Sequence, residues 1–386
     1  TAAGWSGALN MTLLFWGSFG FLFYTYVGYP LFMMLWARLR PERPCPAHGE
    51  LPTVTVVIAA HNEEKRIAAR LENLFAQRYP QQLLEVVVVS DGSTDGTVAA
   101  LRELNHPRVE VVVLERNRGK AAALNQGVAS ARGEIVVFTD VRQRFAPDAI
   151  ERLVAAFADP GVGGVTGELV LCESEEGGEP KGVGLYWRYE KAIRAAESRV
   201  DSTVGATGAI YAIRRRLYRE LPSGLILDDV LTPLNVTAQG YRLKMVREAL
   251  AYDRISGSMA EEFHRKVRTL AGNVQLIQLA PWVMNPLRNR LFFQWFSHKV
   301  CRLAAPYALL GLLFSPWFAG GAGYLAFGTF QLSGYAIALY GLHGMWRGRQ
   351  VGKASVPASF VMLNVAAAIG LLSVVTGRTE KLWKKH

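Results

Sequence analysis

Apolar and polar positions divide this chain into three stretches. Residues 8–36 are apolar and carry no formal charge, a run longer than the roughly 20 residues that cross a bilayer. They predict a transmembrane helix within residues 1–40. A secretory signal is the rival reading, but the apolar part is too long and no basic segment precedes it. From residue 53 onward, short Val/Ile runs alternate with amphipathic stretches. Residues 303–377 are apolar again, broken at Ser315-Pro316 and Gly320-Gly321.

The middle stretch carries the fold. Residues 41–52 are rich in Pro and Arg and read as a linker. Strands are then expected at 53–60, 84–90, 109–114 and 134–139, with helices at 63–77, 95–104 and 120–131 between them. Continuous Val/Ile runs suit strands buried on both faces, and the βα alternation implies a parallel sheet covered by helices. The class is α/β. Strand 134–139 runs straight into Asp140, and open parallel sheets bind ligands just outside the carboxyl ends of their strands. An acid there is a candidate ligand for a metal or a phosphate.

Composition changes this picture in one respect. Charged residues make up 19% of the chain and the formal net charge is +11. Much of the excess flanks the apolar segments, with Arg38, Arg40 and Arg43 after the first, and Arg288, Arg290, Lys299 and Arg302 before the next. Such flanks mark a cytoplasmic membrane face and attract anionic lipid. The expected partner is therefore a bilayer and not nucleic acid. Cys45, Cys172 and Cys301 form no Cys-x-x-Cys pair, so neither a disulfide framework nor a zinc site is expected.

Loops separate the nucleotide-binding folds that share this alternation. No Gly-x-Gly-x-x-Gly follows the first strand and no Gly-x4-Gly-Lys-Ser/Thr occurs, which argues against dinucleotide and P-loop sites. Instead the first strand ends in Ala60-His61-Asn62-Glu63-Glu64. The second ends in Ser90-Asp91-Gly92-Ser93-Thr94-Asp95, which also reads as a turn plus helix cap. With Asn117-Arg118-Gly119-Lys120, Phe138-Thr139-Asp140 and Leu227-Asp228-Asp229, these motifs resemble the GT-A domain of family 2 glycosyltransferases. That group includes cellulose, hyaluronan and poly-N-acetylglucosamine synthases. The resemblance implies a GT-A nucleotide-sugar-binding domain over residues 53–275, with a mainly parallel sheet flanked by transmembrane helices.

It also implies roles. Asp91 would hold the base or ribose of a nucleotide-sugar donor, UDP-linked by family likeness, with Ala60, His61 and Glu63 beneath it. Lys120, opening a helix after a glycine, would face the diphosphate. The family's second acid at the fourth strand end is Arg142 here, leaving Asp140 to hold Mg2+ or Mn2+ with substrate oxygens, or Arg142 to contact the diphosphate itself. Asp229 would be the general base of an inverting displacement, with Asp228 as its support. Thr207 and Gly208 would contact the acceptor, and Trp187 could stack on a sugar ring or belong to the core. Processive synthases carry Gln-x-x-Arg-Trp where this chain has Arg265, Arg268 and Thr269. Two arginines one turn apart share a face and can clamp a diphosphate, but the acceptor platform provided by Trp is missing.

The acceptor is thus a growing surface polysaccharide, or alternatively a lipid such as a polyprenyl phosphate or glycolipid that receives one sugar. An inactive polysaccharide-binding scaffold is a third reading, opposed by the presence of Asp91, Asp140 and Asp229. A glycoside hydrolase would need paired carboxylates but not Lys120 or the arginines. Residues 276–302 are expected to lie in the interface as an amphipathic helix. Residues 303–377 supply two or three membrane segments, and 378–386 a basic tail. With the catalytic domain on the cytosolic face of the inner membrane, a third crossing would put that tail on the wrong side.

Overall fold

The computed structural model describes residues 2–41, 49–172, 185–255, 258–349 and 351–377. Most of the expected linker and the whole basic tail lie outside the described residues. The chain begins with a rod: α1 (Ala2–Phe23) passes through one π turn, Tyr24–Gly28, into α2 (Tyr29–Leu39). Pro30 explains the wide turn, because its ring has no N–H and crowds the carbonyl one turn back.

The alternation predicted from sequence follows: β1 (Val54–Ala60), α3 (Glu64–Phe75), β2 (Leu84–Asp91), α4 (Thr97–Leu104), β3 (Val109–Leu114), α5 (Lys120–Ser130) and β4 (Ile135–Thr139). These strands pair in parallel in the order β3-β2-β1-β4. α5 sits unusually close to the sheet: a Cβ on Gly127 would lie 2.4 Å from Val57 Cγ1. Its Ala-rich face makes that approach possible.

After Asp140 the sheet changes direction. β5 (Arg144–Phe145), α6 (Ala149–Ala155), β6 (Val162–Cys172), α7 (Leu185–Val200), β7 (Tyr211–Arg214), α8 (Asp228–Ala238), β8 (Arg242–Arg254) and α9 (Met259–Leu279) complete the domain. β7 adds to β4 antiparallel, and the full order is β3-β2-β1-β4-β7-β6-β8-β5. One apolar core lies under α3 and α6, around Ile67, Leu71, Ile150 and Leu153. The other joins Leu124, Phe138, Tyr211 and Leu231 to Trp295.

Trp295 corrects the expectation of an interfacial helix over 276–302. α9 extends to Leu279, and α10 (Phe292–Trp295) continues through a π turn into α11 (Cys301–Phe314). Trp295 is fully buried in the domain core, with Phe293 and Phe296 on the outer side. The segment is therefore a socket between domain and helix. α12 (Ala322–Trp346) and α13 (Ser355–Val375) follow. Among the described residues four helices are long and apolar enough to cross a membrane: Ala8–Leu39, Phe292–Trp317, Ala322–Trp346 and Gly352–Val375. α11 and α12 pack on α1 through Leu22, Ala305, Leu312 and the rings of Phe15, Tyr324 and Phe327. α13 instead packs along α9, where a Cβ on Gly370 would lie 2.9 Å from the Ala271 nitrogen.

Candidate active site

The loops after β1 and β2 are tied to each other before they meet any ligand. Asn62, at φ 57, accepts the Thr94 N–H through Oδ1 at 2.8 Å. The Glu63 N–H donates to Thr97 Oγ1 at 2.8 Å, and a ring nitrogen of His61 meets the Asp91 carbonyl at 2.8 Å. The Glu63 carboxylate pairs with Arg66 at 3.3 Å, and Ala60 is buried at the end of β1. Asp91 is likewise buried, and both its carboxylate oxygens are engaged. Oδ1 accepts the Arg118 N–H at 2.7 Å and Oδ2 the Gly119 N–H at 2.8 Å. Asp91 thereby fixes the Asn117–Gly119 loop, and Gly92 lets it pass: a Cβ there would sit 2.2 Å from the Asn117 nitrogen.

That loop delivers Lys120 as the first residue of α5. Its Nζ lies 2.9 Å from Asp140 Oδ1 and 3.4 Å from Asp228 Oδ1. Burial works against the ammonium, but Asp140 and Asp228 outweigh it and hold the Lys120 pKa above the usual lysine range. Asp140 answers in kind. Burial alone would push its carboxyl up, yet Lys120, Arg142 and Arg268 bring it below the ordinary range.

Beneath Asp140 lies a residue that the motifs did not flag. Arg70 donates to Thr139 Oγ1 at 2.9 Å and to Asn73 Oδ1 at 2.6 Å, and its guanidinium stacks 4.3 Å from the centre of the Phe145 ring. Burial lowers its pKa to about 9, against the pull of Asp140. The available signal was an arginine on the Ile67–Leu71–Leu74 stripe of α3, where a core position is expected. Arg142 acts on Asp140 through its charge, but its direct partner lies elsewhere. Its Nε pairs with the buried Asp253 at 3.1 Å, and Gln143 donates to the same Asp253 oxygen at 2.9 Å. The structure therefore gives Arg142 a carboxylate partner on β8.

The other half of the cluster is built on the first turn of α8. Asp228 points inward and accepts from Lys120 and from the Tyr211 hydroxyl at 3.3 Å. Asp229 points the other way: a Cβ on Gly208 would come within 3.0 Å of its Oδ2, and its carbonyl accepts the Ala206 N–H at 2.7 Å. Burial and the neighbouring Asp228 push the Asp229 carboxyl up to about 6, against the pull of Lys120, Lys299 and Arg194. Thr207 is held by its N–H on Thr166 Oγ1 at 2.8 Å and by Arg194, which donates to Thr207 Oγ1 at 3.0 Å. Trp187 lies on α7 about two turns before Arg194. Its indole N–H is buried without an acceptor and Lys191 sits over its ring. Arg194 is the α7 residue that hydrogen-bonds the Thr207 loop among the described residues.

The expected arginine pair on α9 is split. Arg265 is engaged by Glu262, whereas the charge of Arg268 acts on Asp140. Thr269 is exposed and donates to the Arg265 carbonyl at 2.9 Å. α9 is pressed onto the Asp228 loop, since a Cβ on Gly272 would lie 2.7 Å from Leu227 Cγ.

Residues 55–221 match the model of Glycosyl transferase family 2. That stretch is similar to family 2 glycosyltransferases. The domain has the GT-A fold, and a mannosyltransferase from Pyrobaculum calidifontis, solved with GDP-Man and Mn2+, superposes with a TM-score of 0.69 at 25% identity, covering 99% of both chains. The chain is 34% identical over 183 residues to a beta-monoglucosyldiacylglycerol synthase of Nostoc sp., covering 46% of this chain and 39% of that protein. It is 24% identical over 234 residues to the poly-beta-1,6-N-acetyl-D-glucosamine synthase of Staphylococcus aureus, covering 59% of this chain and 56% of that protein. It thus spans less than two thirds of these curated relatives. Of the candidate residues of the domain, Lys120, Asp140, Asp228 and Asp229 converge. Arg70, Arg194 and Asp253 join them without any motif of their own.

Proposed function

We propose that the chain is a membrane-integrated inverting glycosyltransferase that moves a hexose-type sugar from a nucleotide sugar to an acceptor at the bilayer, with Asp229 as general base. The observation that carries this reading is the charged line from Lys120 and Asp140 to Asp229. It puts a cation where a diphosphate leaving group needs one, and a carboxylate with elevated affinity for a proton at the acceptor side. In the reaction the acceptor oxygen bonds to the anomeric carbon as the bond from that carbon to the diphosphate breaks. The acceptor proton passes to Asp229, and the electron pair leaves with the nucleoside diphosphate. A positioned base of this kind contributes about 10²–10⁴-fold. Lys120 and Arg268 neutralise the leaving group, and Asp228 positions Lys120 from below.

The donor atoms suit a metal held largely by substrate. Among the described residues no group of three His, Cys, Asp or Glu side chains could hold an ion, and Asp140 offers a single carboxylate. Mg2+ and Mn2+ accept phosphate oxygens and waters as their other ligands, so Asp140 would hold such an ion with the diphosphate. When bound, the ion supplies further neutralisation of the leaving group.

A growing surface polysaccharide is the acceptor supported by the family resemblance. Transfer of one sugar to a lipid is favoured by Thr269, which stands where the processive synthases carry their Trp platform. Orientation follows from α13. If α1–α2, α11 and α12 cross and α13 stays against α9 at the cytosolic surface, Arg347, Arg349 and the basic tail all remain with the domain, as the positive-inside rule requires. The test is a screen of nucleotide sugars for nucleotide release by the purified chain, with and without Mn2+. Release from none of them, with intact nucleotide binding, would overturn the reading.

A further inference from the structure

α3 packs on the sheet through Ile67, Leu71 and Leu74, each no more than 2% exposed. The fourth position of that stripe is Arg70, itself 1% exposed. A guanidinium is costly to bury without a carboxylate partner, and an aliphatic side chain would fill the same place without that cost. Yet among the described residues every hydrogen-bond and ring partner of Arg70 is neutral. Nη1 donates to Asn73 Oδ1 at 2.6 Å and Nη2 to Thr139 Oγ1 at 2.9 Å. The centre of the Phe145 ring lies 4.3 Å from Cζ, and Nε has no acceptor.

These partners enclose the segment that carries Asp140. Thr139 precedes the acid at the end of β4 and passes the contact on, donating to the Ala209 carbonyl at 2.8 Å. Ala209 follows Gly208, which faces Asp229. Phe145 closes the segment, and Asn73 holds its backbone twice: Oδ1 accepts the Phe145 N–H at 2.8 Å and Nδ2 donates to its carbonyl at 3.1 Å. Between these ends, Arg142 and Gln143 meet Asp253 at 3.1 and 2.9 Å. Asp140 thus sits on a short loop whose two ends are reached by the fork of one guanidinium, and its Oδ1 faces Lys120 Nζ at 2.9 Å. An aliphatic residue would pack there but could hold neither end. Resting on the reading of Asp140 as the carboxylate that meets the diphosphate and its metal, we propose that Arg70 is a positioning residue for the donor site. Its role is indirect. It fixes the 139–145 segment so that Asp140 is in place before the donor arrives, which lowers the cost of ordering on binding. Through Thr139 and Ala209 it also ties that segment to the loop beside Asp229.

The experiment titrates the full chain in detergent with UDP and with GDP, each with and without Mn2+, and reads how far the metal tightens binding. Arg70→Met keeps length and packing but not the fork. It is expected to lose at least about tenfold of that tightening, the worth of one charge-assisted contact. Its metal-free binding should be unchanged, because the loops around Asp91 are untouched. Arg70→Lys, with one donor group where two are needed, should fall between Met and Arg. A residue that only fills the core would lower the melting temperature and leave the metal effect of the folded protein intact, and that result would overturn the proposal. Equal losses with and without Mn2+ would overturn it too, since the damage would then be general. Where Arg70→Met does not fold, Arg70→Lys decides alone, and an undiminished metal effect counts against the proposal in the same way. Asp140→Asn separates the two readings. If it leaves the metal effect intact, the assignment of Asp140 falls and the proposal with it. If it removes the effect and Arg70→Met does not reduce it, only the positioning role falls.

Discussion

At the scale of single residues, Asp229 is separated from its neighbour by the geometry of a helix start. Adjacent residues on α8 point to different sides, so Asp228 meets Lys120 while Asp229 faces Gly208. Asp229→Asn should abolish sugar transfer and leave nucleotide binding intact, as read by turnover and by titration with the nucleotide. The pH dependence follows from the sign of the shift. A base pushed up to about 6 is protonated and idle below that pH and competent above it, so the rate should climb through pH 6 and level off. A profile flat from pH 5 to 8, against the expectation that a base works in its deprotonated form, would remove Asp229 from the role. Gly208→Ala puts a methyl within 3.0 Å of the Asp229 carboxylate. It should lower kcat by about tenfold, the order expected of a misplaced reacting group, with little change in donor affinity. Arg142 was legible as an oddity, but its partner was not. Asp253 is more than a hundred residues away along the chain, and no local spacing connects them.

At the scale of elements, the position of Arg268 depends on how closely α13 approaches α9. Gly370 is the contact point, and a side chain there would meet the backbone of Leu270 and Ala271 at 3.3 and 2.9 Å. Because neither obstacle can rotate away, Gly370→Val should destabilise the protein by about 1–3 kcal/mol, the usual cost of overpacking. It should also weaken donor binding, since the displaced helix carries Arg268, whose charge acts on Asp140. Thermal unfolding in detergent and nucleotide titration would read the two effects. A loss of stability with donor affinity intact would show that α9 is held by the domain alone. The β1–β4 elements were legible to within a residue or two because each strand is a continuous Val/Ile run bounded by polar loops. β5 to β8 were not, since they are antiparallel additions whose order depends on pairing between distant segments. The interfacial helix was misread for a related reason. Its amphipathic pattern is real, but the apolar side includes Trp295, which finds a protein core instead of lipid.

At the scale of the whole molecule, the proposed donor site offers one carboxylate, Asp140, surrounded by cations. The molecule should therefore bind Mn2+ poorly alone and much better with a nucleoside diphosphate, whose oxygens complete the coordination. Calorimetric titration of Mn2+ with and without nucleotide measures this. Equal affinity in both would point to a preformed site of another kind.

The sequence by itself determined what is local. Val/Ile runs, their turn residues and the acids at their ends decided the α/β class, the parallel half of the sheet, the positions of Lys120, Asp140 and Asp229, and the apolar lengths of the membrane helices. Those features depend on periodicity and on neighbours a few residues apart. Only the tertiary structure decided which charges meet. Asp91 spends its oxygens on the Arg118–Gly119 amides, Arg142 reaches Asp253, and Arg70 lies under Thr139. Each is a contact between segments far apart in the chain, and a charge announces that it needs a partner without saying where in the fold that partner will be.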